Sequence, residues 1–268
     1  MSIQLGMIGG GMMGEALISR LVAQEIYASE QILVSDPQAE RRKFLSDRYG
    51  VQTTSQNLEV AQAEVLLLAI KPQVFDRVVA ALAGNKTPSP SLILSILAGT
   101  PLEKLERAFP GKAVIRAMPN TPATVGAGIT AIAPGLLAQP HHLEQASRVF
   151  GAVGEVVEVA ESYMDAITGL SGSGPGYVAL MIEALADGGV AVGLPRAIAT
   201  KLAIQTVKGS AQLLQDTGIH PAQLKDQVTS PGGTTIAGIA HLERAGVRSA
   251  LIEAVRAAYV RSQELGKS

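Results

Sequence analysis

Residues 3–23, IQLGMIGGGMMGEALISRLVA, hold in order an apolar run of strand length, a glycine-rich turn and a helical pattern. Residues 3–8 predict a short strand and residues 15–23 a helix. Between them, Gly9-Gly10-Gly11-Met12-Met13-Gly14 spaces its glycines as G-x-G-x-x-G. In a strand-turn-helix each of these glycines has its own task. Gly9 makes the tight bend, Gly11 leaves the backbone bare for a pyrophosphate, and Gly14 lets the helix lie close to the strand. A glycine-rich loop alone is weak support for a ligand. The flanking strand and helix, with a second strand candidate at residues 31–35, predict a dinucleotide-binding βαβ unit.

That second strand ends in Ser35-Asp36-Pro37, with Arg41 and Arg42 one turn further on. Asp36 follows Gly14 by 22 residues, where an acidic side chain usually bonds the adenosine ribose and disfavours a 2′-phosphate, so the rule favours NADH. Ser35 and the two arginines favour NADPH, because they can pair with a phosphate. Asp36 could equally cap the helix that follows.

Working outward, short apolar runs alternate with helical patterns as far as residue 160. Strands are expected at 64–70, 92–96, 113–118, 129–133 and 153–159, and helices at 74–82, 102–109 and 142–150. Such alternation predicts an α/β fold, a Rossmann-type doubly wound and mainly parallel sheet. Beyond residue 160 strand signals stop. Ser162 is a candidate helix N-cap; Pro175 can open a helix running to about 192, which Gly193 closes. Pro195 starts another, ended after Thr217 by Gly218, and a last helix spans about 247–265. The expected organisation is a dinucleotide-binding domain at 1–160 and an all-α domain at 161–268. Residues 179–186, ALMIEALA, are apolar on more than one helix face and need cover, which predicts a homodimer through these helices.

Composition narrows the function classes. The formal net charge is −1 over 268 residues and aromatic content is 3%, so neither a nucleic acid nor an anionic membrane is an expected partner. Cysteine is absent, which removes disulfides and thiolate metal ligands, and no metal site is expected. The first strand begins almost at residue 1 and the longest apolar runs are of strand length, so a cytoplasmic location is the expectation.

A second informative stretch is LKDQVTSPGGTTIAGIAHLE, residues 224–243. It reads as helix, loop, helix, the second helix opening at Thr234-Thr235. Glycines ahead of a helix N-terminus expose N–H groups that bind small anions such as carboxylates, and the two threonine hydroxyls stand at the same place as neutral donors. A capped helix start after a Pro-Gly turn would leave the same pattern.

Five further segments, in order, are similar to motifs of one family. They are Ala69-Ile70-Lys71-Pro72-Gln73, Ser95-Ile96-Leu97-Ala98-Gly99, Arg116-Ala117-Met118-Pro119-Asn120-Thr121-Pro122, Leu170-Ser171-Gly172-Ser173-Gly174-Pro175-Gly176-Tyr177, and Thr229-Ser230-Pro231-Gly232-Gly233-Thr234-Thr235. Together with the glycine turn they resemble pyrroline-5-carboxylate reductases along nearly the whole chain. The resemblance implies NADPH as cofactor, with NADH possible, bound by residues 9–14, Ser35, Asp36, Asn57, Ala69, Ile70, Lys71, Pro72, Ala98 and Gly99. It also implies a homodimer or a ring of dimers. The substrate, 1-pyrroline-5-carboxylate, would be held by Ser230, Gly232, Gly233, Thr234 and Thr235 and reduced to L-proline. Thr235 would be the catalytic residue, bonding the ring nitrogen.

The chemistry fits a cyclic imine. A carbonyl or alcohol substrate needs an acid or base at the reacting oxygen, whereas a protonated imine is already an electrophile. No Lys, Arg or His lies between Arg148 and Arg196, where hydroxyacid dehydrogenases of similar layout keep a catalytic lysine. His141, His142, His220 and His241 are expected to be surface or packing residues. A β-hydroxyacid dehydrogenase and a dinucleotide-sensing regulator that has lost its chemistry are the alternatives.

Overall fold

The computed structural model describes residues 2–82 and 90–267. The glycine-turn unit forms as expected: β1 (Leu5–Ile8), α1 (Met12–Ala23) and β2 (Ile32–Ser35). Then come α2 (Ala39–Tyr49), β3 (Gln52–Thr54), α3 (Asn57–Val60), β4 (Val65–Leu68), α4 (Phe75–Leu82), β5 (Leu92–Ser95), α5 (Leu102–Ala108) and β6 (Ala113–Met118). The sheet is completed by β7 (Gly128–Pro134), α6 (Pro140–Gly151) and β8 (Gly154–Glu158). Helices follow: α7 (Met164–Ile167), α8 (Gly174–Ala191), α9 (Arg196–Thr217), α10 (Pro221–Gln227), α11 (Thr234–Arg244) and α12 (Val247–Lys267).

The eight strands lie in the order β3-β2-β1-β4-β5-β6-β7-β8, all neighbours parallel except β6 and β7. From β1 the chain first builds outward through β2 and β3, then crosses to β4 on the other side. The switch of direction opens a crevice beyond the carboxyl ends of β1 and β4, the usual ligand position in an open α/β sheet. Both sheet faces are covered, so the inner strands carry apolar runs, such as Val65–Leu68 and residues 92–94. Alternate residues serve opposite cores. Leu5, Met7, Val65 and Leu67 pack with Leu17, Leu21 and Phe150 of α1 and α6. Ile8, Leu66, Leu68 and Ile93 pack with Val60, Phe75 and Leu105 of α3, α4 and α5.

Two local features differ from expectation. β3 is three polar residues, Gln-Thr-Thr, at the sheet edge; a strand half open to solvent carries no apolar run. Ser162 lies inside a short 3₁₀ turn, Glu161–Tyr163, and caps no helix; its neighbour Glu161 is the residue in use there. After α7 the backbone widens into a π-helical turn, Thr168–Gly172, ahead of α8.

Contacts divide the chain into two compact units, residues 1–172 with 257–268, and residues 173–256. α12 therefore begins in the second unit and ends in the first. Within the second unit α8 lies against α9, where Ala186, Ala199 and Ala203 form a small core. Gly193 (φ +101°) ends the α8 segment and Gly218 (φ +65°) ends α9, both as the sequence predicts. Many apolar side chains of this unit stay exposed in the single chain, Leu180 at 66% and Val192 at 83%. Among the described residues no helix is long and apolar enough to cross a membrane.

Candidate active site

The three glycines of the turn do what their spacing requires. Gly9 has φ +101°, and a Cβ there would stand 2.5 Å from the Ala69 carbonyl oxygen. Only glycine lets β1 and β4 end so close together. A Cβ at Gly14 would stand 2.5 Å from the Gly9 oxygen, so α1 lies directly against the turn. A Cβ at Gly11 meets nothing within 4 Å. That open space lies at the N-terminus of α1, where Gly11 is the N-cap and no side chain caps the helix. The free N–H groups and helix dipole there fit the pyrophosphate of a dinucleotide.

Around the turn is a cleft of about 650 Å³, walled by Gly9, Gly11, Ser35, Asp36, Asn57, Ala69, Ile70 and Lys71. Eight of the expected cofactor residues thus come together from four chain segments. Gly10, Met12, Met13, Gly14 and Pro72 flank the cleft in the same turns. Ala98 and Gly99 stand beyond the carboxyl end of β5, next to β4 in the sheet, and do not line it. Pro37, Gln38, Ser55, Val74 and Arg77 also line the cleft and were not expected from the sequence. Arg77 lies two residues into α4, close after the Lys71-Pro72 turn, a spacing that could have found it. Among the described residues its guanidinium has no ion-pair partner.

The polar groups at the end of β2 are engaged with one another. Asp36 accepts the Gly10 N–H at 3.0 Å and the Gln38 N–H at 2.9 Å, stapling the glycine turn to the second strand. Ser35 is 1% exposed and donates to Asn57 Oδ1 at 2.7 Å. Arg41 donates to the Gly10 carbonyl, to the Gly11 carbonyl at 3.3 Å and to Glu15 at 2.5 Å. Arg42 donates to the carbonyls of Asp36 at 2.7 Å and Pro37 at 3.0 Å. Both arginines therefore brace backbone and do not stand free for a phosphate. Burial works against ionisation of Glu15. Hydrogen bonds from Arg41 and Tyr49, with the charges of Arg41 and Arg48, outweigh it and hold the carboxyl below its ordinary value.

Two of the resembling segments meet at Asn120. Its Oδ1 accepts the Ile129 N–H at 3.0 Å and its Nδ2 donates to the Ser171 carbonyl at 3.2 Å. The Met118-Pro119-Asn120 loop is thereby tied to the π-helical turn.

In the second unit α10 and α11 are joined by the Thr229–Gly233 loop. Gly232 has φ +70°, which requires glycine, and a Cβ at Gly233 would fall 2.3 Å from Ser230 Oγ, so a side chain there would have to turn that hydroxyl aside. The Gly233 N–H donates to the Ser230 carbonyl at 3.0 Å, which closes the turn and removes it from the expected set of open donors. The N–H groups of Gly232, Thr234 and Thr235 have no acceptor among the described residues, and no side chain caps α11. Thr235 is half-buried at this helix start. The loop offers a row of donors with a hydroxyl beside it.

The histidines take structural parts. His220 accepts the Ala222 N–H at 3.2 Å as the cap of α10, and His142 accepts the Gln139 N–H at 3.0 Å at the start of α6. His141 and His241 are exposed. Among the described residues no cluster of three His, Asp or Glu could hold a metal.

A doubly wound sheet with a glycine turn at its switch point, followed by a helical unit with a row of open N–H groups at the start of α11, defines a nicotinamide-dependent oxidoreductase. Comparison with known proteins agrees in both halves. A family model described as NADP oxidoreductase, coenzyme F420-dependent, matches residues 4–99, and one described as pyrroline-5-carboxylate reductase dimerisation matches residues 161–265. A Synechocystis pyrroline-5-carboxylate reductase is 62% identical over 268 residues, covering 100% of both chains. The Escherichia coli protein of that name is 40% identical over 270 residues, again with full coverage. Among solved structures, the Plasmodium falciparum pyrroline carboxylate reductase with NADP bound matches with TM-score 0.88 and 31% identity over 98% of each chain. The Coxiella burnetii enzyme matches with TM-score 0.89 and 34% identity over 99% of each. The chain belongs to the pyrroline-5-carboxylate reductase family.

Proposed function

We propose that this chain reduces 1-pyrroline-5-carboxylate to L-proline, the last step of proline synthesis, using NADPH and, less well, NADH. The observation that carries the reading is the start of α11, where open N–H groups of Gly232 and Thr234 stand beside the hydroxyl of Thr235. A small cyclic imino acid has two groups to hold, a carboxylate and a ring nitrogen. The N–H row binds the carboxylate with help from the helix dipole. Thr235 hydrogen-bonds the ring nitrogen and fixes which face of the ring is presented. Ser230 shapes the turn, and its hydroxyl borders the same loop. A threonine hydroxyl is too weak an acid to drive the reaction, so its first task is orientation, with the proton reaching nitrogen from water.

The cofactor is held by the glycine turn, Asn57, Lys71 and the loop containing Ala98 and Gly99. When bound, the reduced nicotinamide supplies the hydride that a protonated imine needs at its carbon. Since that substrate is already electrophilic, the protein contributes placement, and no lysine or histidine acid is required. We assign the cofactor to residues 1–160 and substrate binding with dimerisation to residues 161–268. The dimers act alone or closed into rings, in the cytoplasm and apart from nucleic acid and membranes.

Thr235→Ala tests the assignment. Its kcat falls about 10- to 1000-fold, the scale of one well-placed donor, while cofactor affinity holds. An unchanged kcat/KM for the imine removes Thr235 from the mechanism.

A further inference from the structure

We propose that the last two turns of α12 are a clasp for the loop after β5, residues 96–102, with Ser262 and Asp165 as positioning residues for cofactor binding. The proposal rests on the reading above that Ala98 and Gly99 lie beside the nicotinamide. Ser262 is 3% exposed, a polar side chain sealed near the end of a helix that is exposed along much of its length. Its Oγ donates to Asp165 Oδ1 at 2.7 Å, across 97 residues of chain. Asp165 lies 3.9 Å from the guanidinium of Arg116, which is itself only 6% exposed. The other arm of Arg116 is 3.1 Å from Glu161 Oε1. That same oxygen accepts the N–H of Leu102, where the loop ends, at 2.6 Å.

The middle of the loop is gripped directly. Gly99 has φ +70°, and a Cβ there would stand 3.4 Å from Leu265 Cβ. A Cβ at Gly266 would stand 2.9 Å from the Gly99 oxygen. Helix and loop meet closely, and a methyl group on Gly266 would have to push the Gly99 carbonyl aside. The two grips are joined by one chain of polar contacts, Ser262–Asp165–Arg116–Glu161–Leu102. Among the described residues no buried side-chain polar atom in it lacks a partner. A buried charge held by a complete network fixes its neighbours in one arrangement, and a gap in the network frees them.

Three variants separate this role from a purely structural one. Cofactor dissociation constants from nucleotide fluorescence, steady-state constants and melting temperatures are measured for Ser262→Ala, Ser262→Thr and Gly266→Ala in the full chain. Removing one hydrogen bond to a carboxylate is expected to weaken cofactor binding and raise its KM roughly 3- to 10-fold in Ser262→Ala. The KM for the imine and kcat at saturating cofactor stay within about twofold, since the N–H row and Thr235 are untouched. Ser262→Thr keeps the hydroxyl and restores affinity. Gly266→Ala weakens cofactor binding and lowers the melting temperature, because its Cβ, 2.9 Å from the Gly99 oxygen, forces the helix end and the loop apart. Wild-type cofactor affinity in both Ser262→Ala and Gly266→Ala overturns the clasp, whatever their melting temperatures. Ala98→Leu tests the underlying reading separately. If it leaves cofactor binding intact the loop is not beside the cofactor; if it blocks binding while the clasp variants bind normally, only the clasp fails.

Discussion

Gly11→Ala separates folding from cofactor binding at a single atom. Gly11 has φ −66° and ψ −169°, values alanine adopts freely, and its Cβ would meet no atom within 4 Å. Alanine stiffens the unfolded chain, which stabilises by about 0.4–1 kcal/mol. It is a poorer N-cap than glycine, which costs a similar few tenths to about 1 kcal/mol. The two nearly cancel. The new methyl, however, stands in the open space over the N-terminus of α1, where the pyrophosphate has to approach. Losing one hydrogen bond to a charged group costs about 1.5–3 kcal/mol. At about 1.4 kcal/mol per factor of ten, that is roughly 10- to 150-fold in affinity. Gly14→Ala supplies the contrast. Its Cβ lies 2.5 Å from the Gly9 oxygen and 3.2 Å from Met7 Sδ, so it strains the apo fold by about 1–3 kcal/mol. Thermal melts and NADPH fluorescence titrations of both variants give the comparison. A folded Gly11→Ala protein that binds NADPH like wild type refutes the assignment of that space to the pyrophosphate.

Other expectations follow from the same contacts. Arg41→Ala lowers affinity for NADPH and NADH alike, because Arg41 braces the Gly10 and Gly11 carbonyls; a selective loss of NADPH binding would show that it reads the 2′-phosphate. Asp36→Ser raises the ratio of kcat/KM for NADPH over NADH about tenfold, since removing a carboxylate beside a phosphate relieves about 1–2 kcal/mol of solvent-screened repulsion, while loosening the turn for both; a constant ratio contradicts it. The depressed Glu15 carboxyl gives stability that is present above its ordinary value of 4.5 and lost as pH falls through its lower folded value. The melting-temperature gap between wild type and Glu15→Gln should therefore be constant near neutrality and close in acid; a gap independent of pH would be evidence against the ion pair. Light scattering at micromolar protein should find a dimer or a larger assembly, given the exposed Leu180, Leu185 and Val192, and a monomer would contradict that.

What could be read in the sequence follows from where the signal is local. Val65–Leu68 and Leu92–Ser95 are buried on both faces, so their strands announce themselves as apolar runs, while Gln52–Thr54 at the edge has nothing to announce. The glycine turn was legible because Gly9 and Gly14 each answer a steric need within a few residues, while Gly11 leaves the helix start bare. The direction of a long side chain was not. Arg41 and Arg42 read as phosphate ligands because a sequence shows charge and spacing, but not the carbonyls of Gly10, Gly11, Asp36 and Pro37 that they bind. Gly233 reads as an open donor until the Ser230 carbonyl is seen closing the turn. Contacts between distant segments leave no periodic trace at all, as with Ser262 and Asp165, 97 residues apart.

The most direct test supplies the purified chain with 1-pyrroline-5-carboxylate and NADPH or NADH, following both loss of reduced nicotinamide and formation of proline. One proline per NADPH consumed, with slower turnover on NADH, is the predicted result. Cofactor that binds but is not oxidised, with no proline formed, would contradict the account and leave a dinucleotide-binding protein without this reaction.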